Sequence, residues 1–138
     1  MFQATKAIYN ELCNYDGLKV FTDESEDQSS VWLQFGLPDD DYFRIHFISK
    51  DESNCVAVRV FNLMQIEEHQ LANALYILNY FNTRYRFLKF CCHDLEIRVE
   101  YDFLEKSVAP EIGAYEIICR MADLINEVYG VLKSELDK

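Results

Sequence analysis

Residues 95–103 alternate without a break. Leu95, Ile97, Val99, Tyr101 and Phe103 are apolar, and Glu96, Arg98, Glu100 and Asp102 between them are charged. A repeat of two fits only an extended strand, whose side chains point alternately to opposite faces. One face of that strand must be buried and the other must meet water, which demands an antiparallel sheet with one open side. Other strand signals fit the same sheet. Val31, Leu33, Phe35 and Leu37 alternate with Trp32, Gln34 and Gly36. Phe43, Ile45 and Phe47 alternate with Arg44 and His46. Val56, Val58 and Val60 share one face of a run from Cys55 to Leu63. Leu18 to Thr22 is a shorter signal, and Arg86 to Cys92 precedes the clean strand.

The links between the first strands are short and acidic, with Asp23, Glu24, Glu26 and Asp27, then Asp39, Asp40 and Asp41, then Asp51 and Glu52. Short links join antiparallel neighbours. Three helical patterns flank the strands. Ala4, Ala7, Ile8, Leu12 and Tyr15 recur at helical spacing, and Asp16-Gly17 supplies a stop. Glu67 to Asn82 carries the stripe Leu71, Ala74, Leu75, Leu78 and Phe81. The last helix is expected to start near Pro110 and to run to about Leu136, with Gly130 as a place to bend. The predicted class is α+β: an antiparallel sheet with helices packed on one face, in the order α-β-β-β(-β)-α-β-β-α. No repeat or linker divides the 138 residues, so one domain is expected over 1–138.

The last helix has more apolar surface than one sheet needs. Tyr115, Ile118, Ala122, Ile125, Tyr129, Leu132 and Leu136 form one stripe. Ile117, Met121, Leu124, Val128 and Val131 form a second. A second stripe requires a second packing surface, either a helix of the same chain or another subunit. The second stripe is therefore a candidate interaction surface, and a homodimer is expected from it.

Charge and motif content narrow the function. The formal net charge is -11, which disfavours binding to phosphate backbones and anionic membrane surfaces. No apolar run approaches the roughly 18 residues of a membrane span. The N-terminus has no basic, then apolar, leader pattern, so a cytoplasmic location is expected. The four glycines are isolated and build no phosphate loop. Cys91-Cys92-His93-Asp94 resembles a metal-ligand cluster, but adjacent strand residues point to opposite faces and cannot share one zinc ion. No nucleophile or acid–base constellation is recognisable, so no catalytic residue, metal or cofactor is assigned and a non-enzyme is expected. An aromatic pocket between the second helix and the sheet, lined by Tyr76, Tyr80, Phe87 and Phe90, would suit a small-molecule sensor.

Leu78-Asn79-x-x-Asn82, followed by Arg84-Tyr85-Arg86-Phe87-x-Lys89-Phe90, resembles the signature of the YbjN-like family, described as bacterial sensory transduction regulators. The strand Leu95 to Tyr101 and the long last helix are similar too. The resemblance implies a fold like that of type III secretion chaperones, which are small, acidic, commonly dimeric and hold segments of client proteins on an apolar surface. It marks Asn79, Asn82, Arg84 and Lys89 as signature positions and implies a protein-binding module with a chaperone-like or regulatory role. The residues also admit a structural reading: Asn82 as a helix cap and Asn79 bonding across to the next strand.

Overall fold

A computed structural model describes residues 1–106 and 109–138. The elements are α1 (Gln3–Leu12), β1 (Phe21–Glu24), β2 (Ser29–Gly36), β3 (Tyr42–Ser49), β4 (Val56–Gln65), α2 (Leu71–Arg84), β5 (Lys89–His93), β6 (Glu96–Phe103) and α3 (Pro110–Leu136). A single 3-10 turn, Glu68–Gln70, leads into α2. The element order is the expected one, with the fourth strand before α2 present. All six strands form one antiparallel sheet in the order β1-β2-β3-β4-β6-β5.

The alternating residues sort as their periodicity requires. Val31, Leu33, Phe43, Ile45, Phe47, Val56, Val58, Val60, Phe90, Ile97 and Val99 join one buried cluster with residues of all three helices. The helices thus cover one face of the sheet. Covering that face removes roughly 1.5–3 kcal/mol worth of apolar exposure for each large aliphatic or aromatic side chain. A buried hydroxyl network fixes α1 to the sheet. Ser29 Oγ accepts from the Phe2 amide at 3.2 Å and lies 2.6 Å from Thr5 Oγ1. Glu52 accepts the Gln3 amide at 3.2 Å, so an anion sits where the helix dipole is positive.

Four boundaries differ from expectation, three of them for a local reason. β1 is Phe21–Glu24 rather than Leu18 to Thr22, because a turn closed by the Ser25 amide on the Gln28 carbonyl sets the register Glu24 opposite Ser29. β4 continues to Gln65 through a register shift between Val60 and Met64, where Asn62 takes a positive φ of 48°. α2 extends to Arg84. β5 starts at Lys89, not Arg86, because Arg86 and Phe87 form a turn that returns the chain to the sheet edge.

The long helix corrects the second-stripe reading. Ile117, Met121, Leu124 and Val128 are buried inside the chain, and Val131 alone of that stripe is exposed. α3 touches both α1 and α2 as well as closing over the core. On the α2 side Arg120 lies 5.8 Å from the Phe87 ring, and the Tyr85 hydroxyl donates to Glu127 at 3.3 Å. On the α1 side Tyr115 stacks on Tyr15 at 3.9 Å. A helix with the sheet beneath and a helix on either flank needs an apolar arc wider than one stripe. The stripe Ile117, Met121, Leu124, Val128 is therefore core, and the observation behind the expected homodimer falls away. Gly130 leaves α3 unbroken.

Candidate interaction surface on the open sheet face

With every helix on one side, the other face of the sheet is left to solvent. Strand register decides which residues meet there. Phe21 pairs with Trp32, Trp32 with His46, His46 with Arg59, Arg59 with Glu100, and Glu100 with Lys89. One row of outward side chains thus crosses all six strands. A neighbouring row holds Gln34 opposite Arg44 and Arg98 opposite Cys91, with Phe61 of β4 between the two arginines.

The first row begins with aromatic stacking. Phe21 lies on Trp32 at 4.4 Å, and the Trp32 indole N–H donates to Asp23 at 3.0 Å. Arg44 lies 4.3 Å from the Trp32 ring and 5.5 Å from Tyr42, and its Nε donates to Gln34 Oε1 at 3.0 Å. Trp32 and Phe61 flank His46 at 6.1 and 5.6 Å. Arg98 lies over Phe61 at 5.2 Å. Phe21, Tyr42 and Phe61 are 43%, 50% and 40% exposed. Interleaved cations and rings of this kind attract each other through the ring quadrupole, by about 0.5–1 kcal/mol at exposed sites.

The cations differ in how they are neutralised. Arg59 bonds Asp102 at 2.8 Å and lies 3.5 Å from Glu100, which also faces Lys89 at 3.6 Å. Arg98 meets Glu96 at 3.2 Å, yet its Nε is shielded from water with no acceptor. Arg44 is held by two rings and a neutral amide, with no carboxylate partner among the described residues. A shallow concavity of about 450 Å³ lies beside this cluster, with Asp23, Ser30, His46, Lys50, Arg59 and Phe61 in its walls.

Burial holds the His46 imidazolium below its ordinary 6.5, the Arg44 charge adds to the effect, and Asp23 opposes it. The unfolded chain therefore binds this proton more readily than the folded one. Stability is full above about pH 6.5 and falls as pH drops through the folded value. Lowering the pH from about 7.5 to 5 should lower the melting temperature, and His46→Gln should flatten that part of the profile. Asp51 and Glu96 are held below their ordinary 3.8 and 4.5, so their losses appear only at lower pH. A His46→Gln profile identical to wild type would dismiss the assignment. Burial, then Glu100, raises the Cys91 thiol, which keeps it protonated and a poor nucleophile.

The signature residues are dispersed. Asn82 makes two bonds to one residue: its amide donates to the Phe90 carbonyl at 2.9 Å and its Oδ1 accepts the Phe90 N–H at 2.7 Å. The bond across to the next strand therefore comes from Asn82 and not from Asn79, which is exposed on α2. Arg84 is exposed beside Tyr85 at 5.7 Å. Lys89 ends the first row of the open face. The aromatic pocket expected between α2 and the sheet does not form. Tyr76 and Tyr80 point outward at 77% and 55% exposure, because they fall on the side of α2 away from Ala74, Ile77 and Phe81, and Phe90 is core. Cys91 and Cys92 take opposite faces, as their adjacency requires. Among the described residues, no group of three or more His, Cys, Asp or Glu could hold a metal ion, and no helix is long and apolar enough to cross a membrane.

Trp32, Arg44, His46, Phe61 and Arg98 were not legible as a group in the sequence. Their outward alternation was visible strand by strand, but not which strands would be neighbours. No protein-family model matches the chain, and no curated protein matches it.

Proposed function

We propose that the chain is a non-enzymatic protein-binding module of the cytoplasm with a chaperone-like or regulatory role, in the manner of the YbjN-like family that its α2–β5 segment resembles. The open sheet face is its docking surface. The observation that carries this reading is the grouping of Phe21, Trp32, Tyr42 and Phe61 with Arg44 and Arg98 on a face that no helix covers. Aromatic residues and arginine are the side chains most enriched at the energetic centres of protein interfaces. They present large rigid contact areas at low entropic cost, and the sheet backbone holds them in fixed register.

The test is selection of a random peptide display library on the immobilised protein, repeated with a Trp32→Ala/Phe61→Ala variant. Both side chains lie on the open face outside the buried core, so the variant should keep the fold, which circular dichroism checks. The expected result is a set of enriched peptides whose affinity drops by at least about 30-fold on the variant, the scale of losing a hot-spot contact. Peptides that bind both proteins equally, or no enrichment on the wild type, would overturn the reading.

A further inference from the structure

We infer that the open face is built for an acidic, aromatic-bearing segment of a partner protein, an inference that rests on the docking reading above. Arg44 pairs with no carboxylate among the described residues, as Lys6, Lys50, Arg84 and Arg86 also do not, and it differs from them in being fixed against two rings on the open face. Its guanidinium is clamped between Trp32 and Tyr42, with one donor on Gln34. Of the five N–H donors of an arginine, the rest have no acceptor among the described residues. A guanidinium fixed on rings has already lost its rotamer freedom, so a carboxylate meets a pre-organised fork.

Arg98 lies over the other side of the Phe61 ring and is paired with Glu96 at 3.2 Å, so it offers a partner only the donors that Glu96 leaves open. Arg44 on β3 and Arg98 on β6 are two strand spacings apart, about 10 Å. The exposed Phe61 ring between them is the apolar part of the site. Two carboxylates about 10 Å apart, with a ring or aliphatic group between, complete this arrangement. Extended residues i and i+4 share one face about 13 Å apart with i+2 between them on that face, and the flexible carboxylate and guanidinium arms take up the difference.

The net charge does not oppose this. Screening limits exposed charges to about 8 Å at physiological ionic strength. The acids of this face sit toward its margins, Asp23 on the β1 edge and Glu96 and Asp102 near the two ends of β6, or are matched, as Glu100 is by Arg59 and Lys89. A segment over β3, β4 and β6 therefore meets Arg44, Arg59, Arg98 and His46 first.

The experiment titrates isotopically labelled protein with three synthetic peptides, read by the Trp32 indole N–H signal and by binding affinity. Each carries phenylalanine at i+2 between glutamate, glutamine or lysine at i and i+4, with serine at the intervening positions, so that the ring and both flanking groups share one face. A single-stranded oligouridine is the fourth probe. The glutamate peptide should bind at least about tenfold more tightly than the glutamine peptide, and the gap should close with salt. Arg44→Gln should shrink that gap at least about threefold by weakening the glutamate peptide more than the glutamine peptide, and an unchanged gap would overturn the role given to Arg44. Equal binding of the glutamate and glutamine peptides, or preference for lysine, would overturn the acidic partner while leaving the docking face intact. No shift of the Trp32 signal with any peptide would overturn both. Tight oligouridine binding lost in Arg44→Gln would replace the protein partner with a nucleic acid.

Discussion

Leu124→Glu should leave the chain unable to fold, rather than split a folded dimer into folded monomers. Leu124 is 7% exposed in the wall between α3 and its neighbours. Its replacement forfeits about 2 kcal/mol of apolar burial and places a carboxylate where no cation is provided, which adds several kcal/mol. Domains of this size have only about 5–15 kcal/mol in total. Val131→Glu, on the same stripe but 44% exposed, should change stability by no more than about 0.5 kcal/mol. Far-ultraviolet circular dichroism and thermal melts of the two variants decide the matter. A folded Leu124→Glu monomer beside a wild type that light scattering shows to be a dimer would return the stripe to an intersubunit role.

Asn82→Ala should lower stability by about 2 kcal/mol and make the protein prone to concentration-dependent aggregation. The two bonds that Asn82 makes to Phe90 are each worth about 1 kcal/mol net. They also occupy the N–H and C=O of Phe90 on β5, which is an edge strand of the sheet. Without the asparagine those groups become a template for a second chain. Chemical denaturation measures the first effect, and light scattering against concentration the second. Asn82→Asp should lie between, because it keeps an acceptor for the Phe90 N–H and loses the donor to the carbonyl. Wild-type stability in Asn82→Ala would reduce the clasp to a surface contact and reopen a recognition role for this residue.

The signature segment shows how local chemistry and tertiary setting divide the work. Its spacing correctly places a helix end followed by a return to the sheet. The partner of Asn82 could not be read from it, because that depends on where Phe90 arrives after the turn at Arg86 and Phe87. The aromatic pocket failed for a related reason. Tyr76 and Tyr80 sit on α2 at positions whose direction is fixed only when Ala74, Ile77 and Phe81 choose the buried side. A sequence with apolar residues around much of a helix does not say which arc the core will take.

Period-two alternation in β2, β3, β4 and β6, and the helical spacing in α1, α2 and α3, were enough by themselves to determine the fold class, the element order and the presence of a wet sheet face. These are local properties, because a residue's direction within a strand or helix follows from backbone geometry alone. Only the tertiary structure decided that α1 and α2 cover both stripes of α3, and that β6 inserts between β4 and β5. It thereby decided that Trp32, Arg44, His46, Phe61 and Arg98, spread from position 32 to position 98, become neighbours. Strand order and helix docking are set by which apolar faces fit together over long sequence separations, and no local pattern in the chain records that fit.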